Sequence, residues 1–202
     1  FNPLNRGFNR SYIHDGGGIG QLPDYYGNTH IDAHYKKNGE IVSSEGFSTD
    51  VLFSKAKEFI EDNKEESFFC FISTPATHAP WQAHPGKLKA LHQRGVEGTP
   101  QEMALYSMIE NIDDNVGDML DYLDSSGLGK NTFVIIATDQ GMRYRGMSNP
   151  PPEKDFSLPD HVFDRRHHVF CMMQYPGLST KSFTIKNLTG IIDIPPTILD
   201  VC

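Results

Sequence analysis

Two apolar segments and the helical pattern between them constrain the fold of this chain most. Residues 67–73 and 132–138 are almost continuously apolar, as is typical of strands that are buried on both faces of a sheet. Residues 101–123 carry apolar side chains at helical spacing, which predicts a long helix with one buried face. This order of strand, helix and strand predicts the α/β class, with a mostly parallel sheet flanked by helices.

Further elements are predicted around these three. A helix over 50–63 follows Ser48 and Thr49, either of which can cap it, and a third strand is expected over 168–174. Residues 74–99 are polar and interrupted by prolines, so they predict a long loop without regular structure. Loops of this length are often functional.

The composition excludes several classes of function. The 18 basic and 26 acidic residues give a net charge of −8 without any basic run, so attraction to a phosphate backbone cannot drive nucleic-acid binding. Apolar runs such as 68–72 and 169–173 are too short to span a membrane. The cysteines form no C-x-x-C pair, and Cys70 and Cys171 are expected to be buried apolar residues.

Polar side chains follow both predicted buried strands, at the edge where α/β proteins bind ligands. His78 comes five residues after the first strand, in a turn held by prolines. Asp139 and Gln140 come directly after the second strand, and their oxygens suit a hard divalent cation such as Ca²⁺ or Mg²⁺. Each signal also has a purely structural interpretation, because a strand-end Asp often forms a turn and a loop His is often only solvated.

Several segments carry a joint pattern that is far more specific than any one of them. They are Gly7-Phe8 followed by 14–28 (HDGGGIGQLPDYYGN), 45–50 (EGFSTD), 68–81 (FFCFISTPATHAPW), 106–117 (YSMIENIDDNVG), 131–141 (NTFVIIATDQG), 175–177 (YPG) and 192–200 (IDIPPTILD). In content and order these segments resemble the sulfatase family over nearly the whole chain.

The resemblance implies a fold and a reaction. The fold would be alkaline-phosphatase-like and incomplete, with residues 1–48 as a loop-rich active-site rim and residues 49–202 as a portion of the α/β core. Sulfatases hydrolyse sulfate esters with a formylglycine made from Cys or Ser in C-x-P-S-R, whose aldehyde hydrate attacks sulfur while Ca²⁺ binds the sulfate oxygens. A fixed cation and proton donors suit the negative charge of that transition state.

The resemblance also assigns roles to residues at the strand ends. Asp139 would be a metal ligand, and Gln140 would stand where the family usually has a metal-ligating Asn. His78 would contact the sulfate and help to protonate the leaving alcohol oxygen.

Substrate contacts are implied as well. His14, in the glycine-rich stretch, is expected to bind substrate. The family's substrate-binding Lys falls near Pro159, so either His161 or Lys154 replaces it or its function is lost. The implied partner is a sulfated small molecule or saccharide, and the implied localisation is export to a periplasmic, secreted or lysosomal compartment.

The chain departs from the family pattern at its nucleophile. None of the three cysteines lies in C-x-P-S-R, so the formylglycine is expected upstream of Phe1 in a longer protein, and the isolated chain is expected to be inactive. Two alternatives remain. Gln140 favours a non-catalytic homologue that binds an anionic saccharide or a protein partner. A phosphatase or phosphodiesterase on the same fold is disfavoured, because Asp139 lacks the following His that such enzymes often carry.

Overall fold

The computed structural model describes residues 2–141, 167, 169–175, 177, 182–187 and 189–202, which belong to two units, Phe1–Asp121 and Tyr122–Cys202. The first unit contains β1 (Tyr12–Ile13), β2 (His34–Lys37), β3 (Glu40–Ser43), α1 (Ser48–Asp62), α2 (Pro85–Gln93) and most of α3 (Pro100–Ser125). The second unit contains β4 (Val134–Ala137), β5 (Cys171–Gln174) and α4 (Ile194–Val201). Within the described residues, every helix is too short or too polar to cross a bilayer.

A tight antiparallel hairpin connects β2 and β3, with Tyr35 opposite Val42. Asn38 and Gly39 form its turn at φ angles of 53° and 95°, the left-handed conformation that a two-residue hairpin turn requires. β1 pairs with the other edge of β2, so these strands form one sheet in the order β1-β2-β3. The region 1–48, predicted as loop-rich, therefore includes a sheet, and the Asn-Gly pair is the signal for its hairpin.

Helix α1 confirms the helix predicted over 50–63, and its apolar face packs on this sheet. Val51 and Leu52 form a buried cluster with Ala33 and Tyr35. The predicted cap is wrong, because Phe47 occupies the N-cap position and no side chain caps the helix.

Helix α2 lies inside the segment that was predicted to lack regular structure. Pro85 occupies the first turn, where its missing N–H removes no hydrogen bond, and the His84 side chain caps the helix by accepting a bond from Lys87 N at 3.2 Å. The prediction of an unbroken loop over 74–99 is therefore wrong for Pro85–Gln93, because proline starts a helix as readily as it interrupts one.

Helix α3 confirms the predicted long helix. Thr99 and Glu102 form a reciprocal capping box: the Glu102 carboxylate accepts a bond from Thr99 N at 2.7 Å, and Thr99 Oγ1 accepts one from Glu102 N at 3.3 Å. Most of the predicted apolar stripe is buried or half-buried, including Met103, Leu105, Met108, Met119 and Leu123 as buried members. Ile109 is an exception and is 48% exposed.

The first apolar segment, 67–73, does not form a strand, contrary to the prediction. Its side chains alternate in exposure, with Phe69 and Phe71 at 56% and 69% while Phe68 and Ile72 are half-buried. Such alternation has the two-residue period of a strand. The physical reason for the difference is that a strand needs a hydrogen-bonded partner, and no ladder to this segment forms within the described residues.

The second and third predicted strands are present as β4 and β5. They pair with each other in antiparallel register, with Ile135 opposite Met173. All strand pairs in the described part of the chain are antiparallel, so the parallel pairing expected between buried strands is not observed there. The described elements form a mixed helix-and-sheet structure that is consistent with an incomplete α/β domain.

Candidate active site

A turn rich in internal hydrogen bonds presents His78; we call residues 74–82 the His78 loop. His78 N donates to Pro75 O at 2.8 Å, and Trp81 Nε1 donates to Thr77 O at 3.0 Å. These bonds close the loop on itself, so the backbone around His78 is held although the histidine is exposed.

The protonation pattern of the His78 ring follows from its neighbour. Nδ1 lies 2.6 Å from the carbonyl oxygen of Ala79. A carbonyl oxygen can only accept, so the proton of the neutral ring lies on Nδ1 and Nε2 carries the free lone pair. The loop therefore leaves Nε2 as the ring atom that can exchange a proton with a ligand.

The glycine-rich stretch forms a second loop; we call residues 14–28 the glycine loop. Asp24, which is buried, anchors it by accepting bonds from Gly20 N at 2.8 Å, Asp15 N at 3.1 Å and Asn28 Nδ2 at 3.0 Å. Burial alone would raise the pKa of Asp24, but these donors outweigh burial and lower it. An ionised carboxylate thus organises the loop.

Two side-chain hydrogen bonds join the region 1–48 to the His78 loop. Gln21 Nε2 donates to Ala79 O at 2.7 Å, and Gln82 Oε1 accepts from His30 N at 2.8 Å. Gly18 lies directly against the His78 ring. The sequence interpretation did not single out Gln21 as a site residue; its only signal is its place in the stretch GGGIGQ.

His14 lies in the glycine loop and lines a small pocket beside Asp15, Tyr25 and Lys36. Its Nδ1 atom is buried and finds no hydrogen-bond partner among the described residues. Lys36 Nζ bonds Asp15 at 2.7 Å across the same pocket. His14 Nδ1 thus lies in a pocket that the Lys36–Asp15 ion pair also lines, and the role of His14 in substrate binding stays a prediction.

His30 is a buried histidine of the same region, only 1% exposed. Its Nδ1 is 2.7 Å from Ser48 Oγ, and its Nε2 has no partner within the described residues. Burial, with a smaller contribution from His14, lowers the pKa of His30 to about 4. The ring is therefore neutral at physiological pH.

The predicted metal ligands follow β4 as expected. Asp139 and Gln140 are both exposed, and Gln140 N donates to Asp139 Oδ1 at 2.8 Å. They belong to the second unit, whereas His78 and His14 belong to the first. Among the residues that the structure describes, no group of three or more His, Cys, Asp or Glu side chains is arranged to hold a metal ion. His161 and Lys154 lie outside the described residues.

None of the cysteines is arranged as a nucleophile. All three are free thiols. Cys70 is half-buried rather than fully buried as expected, and this burial raises the pKa of its thiol to about 11, which keeps it protonated and unreactive. Cys171 is exposed, which corrects the expectation that it is buried: its strand β5 belongs to a two-stranded sheet, and all four residues of the strand are exposed.

The family model described as Sulfatase matches residues 4–202. The chain belongs to the sulfatase family. N-acetylglucosamine-6-sulfatase of Capra hircus is 27% identical over 93% of the chain, and N-acetylgalactosamine-6-O-sulfatase of Bacteroides thetaiotaomicron is 30% identical over 63%. The chain spans 40% of the first relative's length and 21% of the second's.

Solved structures of other proteins share the fold. Ps i-CgsB superposes with a TM-score of 0.70 at 23% identity, over 87% of this chain and 41% of that one. The putative sulfatase yidJ from Bacteroides fragilis superposes at 0.67 with 17% identity, over 85% of this chain and 41% of that one. These similarities confirm the alkaline-phosphatase-like fold that the resemblance implied.

Proposed function

We propose that this chain contributes the proton-donating histidine and part of the metal site of an enzyme that hydrolyses a sulfate ester on a saccharide. The observation that carries the proposal is the His78 loop in a sulfatase-family chain: it fixes Nδ1 of an exposed histidine and leaves Nε2 free. This is the arrangement that a general acid requires.

In the proposed reaction, protonated His78 acts at the ester oxygen. As the bond between sulfur and the alcohol oxygen breaks, Nε2 gives its proton to that oxygen and the ring becomes neutral. Nδ1 keeps its own proton because it donates to Ala79 O at 2.6 Å. The loop therefore determines which ring proton is transferred, and general acid catalysis of this kind contributes about 10²–10⁴-fold to a rate.

Asp139 and Gln140 fit a place in a Ca²⁺ site. A carboxylate and an amide carbonyl are hard oxygen donors, and both side chains are exposed at the end of β4. Ca²⁺ takes about 6–8 oxygen ligands, so these two residues would hold it together with ligands from elsewhere in a complete enzyme. When bound, the ion would supply positive charge toward the sulfate oxygens; Mg²⁺ is the alternative. The formylglycine would come from outside the 202 residues.

The names of the relatives favour a saccharide substrate. They are N-acetylglucosamine and N-acetylgalactosamine 6-sulfatases, and one solved neighbour, at TM-score 0.63 and 15% identity, is described in complex with its substrate D-glucosamine-2-N,6-O-disulfate. We infer a 6-O-sulfated amino sugar as the substrate class, with His14 and His161 as candidate contacts. Export of the protein remains a prediction of the resemblance.

The test is sulfate release from N-acetylglucosamine 6-sulfate by the full natural polypeptide that contains this chain, produced with its formylglycine and Ca²⁺. We expect turnover that falls about 100-fold or more in His78→Ala. His92→Ala is the matched control, because His92 is an exposed histidine of α2, and it should retain full activity.

Three outcomes would contradict this proposal. Binding of the sulfated sugar without turnover would support the non-catalytic homologue. Faster cleavage of the matched phosphate ester would support a phosphatase. Unchanged turnover in His78→Ala would show that His78 is not the proton donor. The 202-residue chain alone should release no sulfate, because it carries no C-x-P-S-R segment.

A further inference from the structure

We propose that Gln21 and Gly18 of the glycine loop position the His78 imidazole. Neither residue would touch substrate; both would act through the backbone carbonyl of Ala79 and the His78 ring. This inference rests on the proposed function only in taking His78 as the proton donor, and the geometry of the two loops carries the rest.

The first step concerns the Ala79 carbonyl. Its oxygen accepts two hydrogen bonds, from His78 Nδ1 at 2.6 Å and from Gln21 Nε2 at 2.7 Å. Two bonds use both lone pairs of a carbonyl oxygen. Ala79 is exposed, so without Gln21 water would compete for this oxygen. The Gln21 amide thus holds the acceptor that determines the tautomer and orientation of the His78 ring.

The second step concerns Gly18, a buried residue on the same turn. A Cβ atom at this position would lie 2.6 Å from His78 Nδ1 and 2.9 Å from Ala79 O. The carbonyl oxygen belongs to the backbone and cannot rotate away as a side chain can. Any residue other than glycine would therefore displace the His78 ring and the Ala79 carbonyl from their present positions.

The two residues also support each other. Gln21 Oε1 accepts a bond from Gly18 N at 3.3 Å, and Gln21 N donates to Gly18 O at 3.0 Å. One amide side chain therefore bridges the tight turn that carries Gly18 and the carbonyl that orients His78. The glycine loop therefore packs against the Nδ1 side of the His78 ring and holds it in place, while Nε2 remains the atom free to exchange a proton.

Nitrogen NMR of the 202-residue chain labelled with ¹⁵N-histidine tests this proposal. In the wild type, the neutral His78 ring should show a protonated Nδ1 and an unprotonated Nε2. In Gln21→Ala and in Gly18→Ala, the two nitrogen shifts should move toward each other as the second tautomer becomes populated. In the complete enzyme, Gln21→Ala should lower kcat about fivefold to tenfold, the value of one hydrogen bond, with KM unchanged.

Matched controls separate positioning from general support of the loops. Gln82→Ala removes the other side-chain bond between the same regions, that from His30 N, without touching Ala79. Gly16→Ala adds a Cβ in the same loop, where the nearest atom is 3.5 Å away. Both controls should leave the His78 tautomer and kcat unchanged. If Gly18→Ala does not fold, as judged by the dispersion of its NMR spectrum, the His78 tautomer in Gln21→Ala still tests the inference.

A wild-type ring protonated at Nε2 would overturn the inference, as would a Gln21→Ala ring that keeps the wild-type tautomer. An equal change of the His78 tautomer in Gln82→Ala would show that Gln21 only helps to hold the two loops together, and this result would overturn the inference as well. The tautomer is measured without turnover, so it can be established even if the complete protein cleaves no sulfate ester. Such a result would overturn the proposed function and leave the positioning of His78 standing.

Discussion

His30 couples the folded state to pH. Burial, with His14, lowers its pKa to about 4 from an ordinary 6.5, so between these values the unfolded chain binds a proton that the folded chain excludes. His30 therefore contributes stability above pH 6.5 that is lost as the pH falls toward 4, about 2 kcal/mol between pH 7 and pH 5. His30→Asn keeps a polar group near Ser48 Oγ. In this variant, the free energies of unfolding that urea denaturation gives at pH 7 and at pH 5 should differ by much less than in the wild type.

The control for His30 is His92→Asn. His92 is an exposed histidine near the end of α2, so its replacement should leave the pH dependence as in the wild type. A full pH dependence in His30→Asn would show that other groups cause it. Asp24 does not interfere, because its lowered pKa confines its effect to pH values below about 4.

Residues of the candidate site differ in how visible they are from sequence. His78 and Asp139 follow apolar segments, so their positions alone indicate a ligand-binding edge. Gln21 shows no such pattern. Its contact with Ala79 joins positions 58 residues apart, and such a contact exists only once the two loops have packed.

At the scale of elements, Asp50 at the start of α1 ties three helices together. Its carboxylate accepts bonds from Asn111 Nδ2 at 2.6 Å and Asn115 Nδ2 at 2.7 Å on α3, and it lies 3.3 Å from His84 Nε2 at the cap of α2. Asp50→Ala leaves the buried Asn111 amide without this acceptor. We expect a loss of about 2 kcal/mol in the free energy of unfolding, measured by urea denaturation.

Asp62→Ala provides the comparison on the same helix. Asp62 pairs with Arg10 at 2.8 Å, but its side chain is 61% exposed, so the loss should stay below about 1 kcal/mol. Equal losses in the two variants would show that Asp50 does not tie the helices.

Helices were easier to predict than strands. The predicted helices over 50–63 and 101–123 correspond to α1 and α3, because a helix is stabilised by bonds within its own segment. The strand predicted over 67–73 needs a partner segment, and its apolar pattern cannot supply one. Helix α2 is not evident from the sequence, because a proline such as Pro85 interrupts a pattern as readily as it begins a helix.

At the scale of the whole chain, the order of segments predicted family membership and fold although single elements differed. The Sulfatase family model covers residues 4–202. An ordered set of motifs indicates the fold even where single helices or strands are predicted wrongly, since each motif marks a position in the same fold. Strand pairing does not follow from that order, and the described ladders are all antiparallel.

Burial predicts that the two units differ in local stability. The buried apolar side chains of the described residues run from Ile19 to Leu123, and of these Leu123 alone falls in the second unit. The side chains of β5 are exposed, and those of β4 are half-buried or exposed. Backbone hydrogen bonds that few buried contacts protect open at low cost.

Hydrogen exchange of the 202-residue chain, followed by mass spectrometry, should therefore show amides of β4 and β5 exchanging about 100-fold faster or more than those of α3 around Met108, once each is corrected by the rate of the same peptide in urea. Met108 is fully buried, whereas Met172 and Met173 are 58% and 44% exposed. Equal protection of the two regions would mean that the chain opens as one cooperative unit, and exposure of β5 would then not determine its stability.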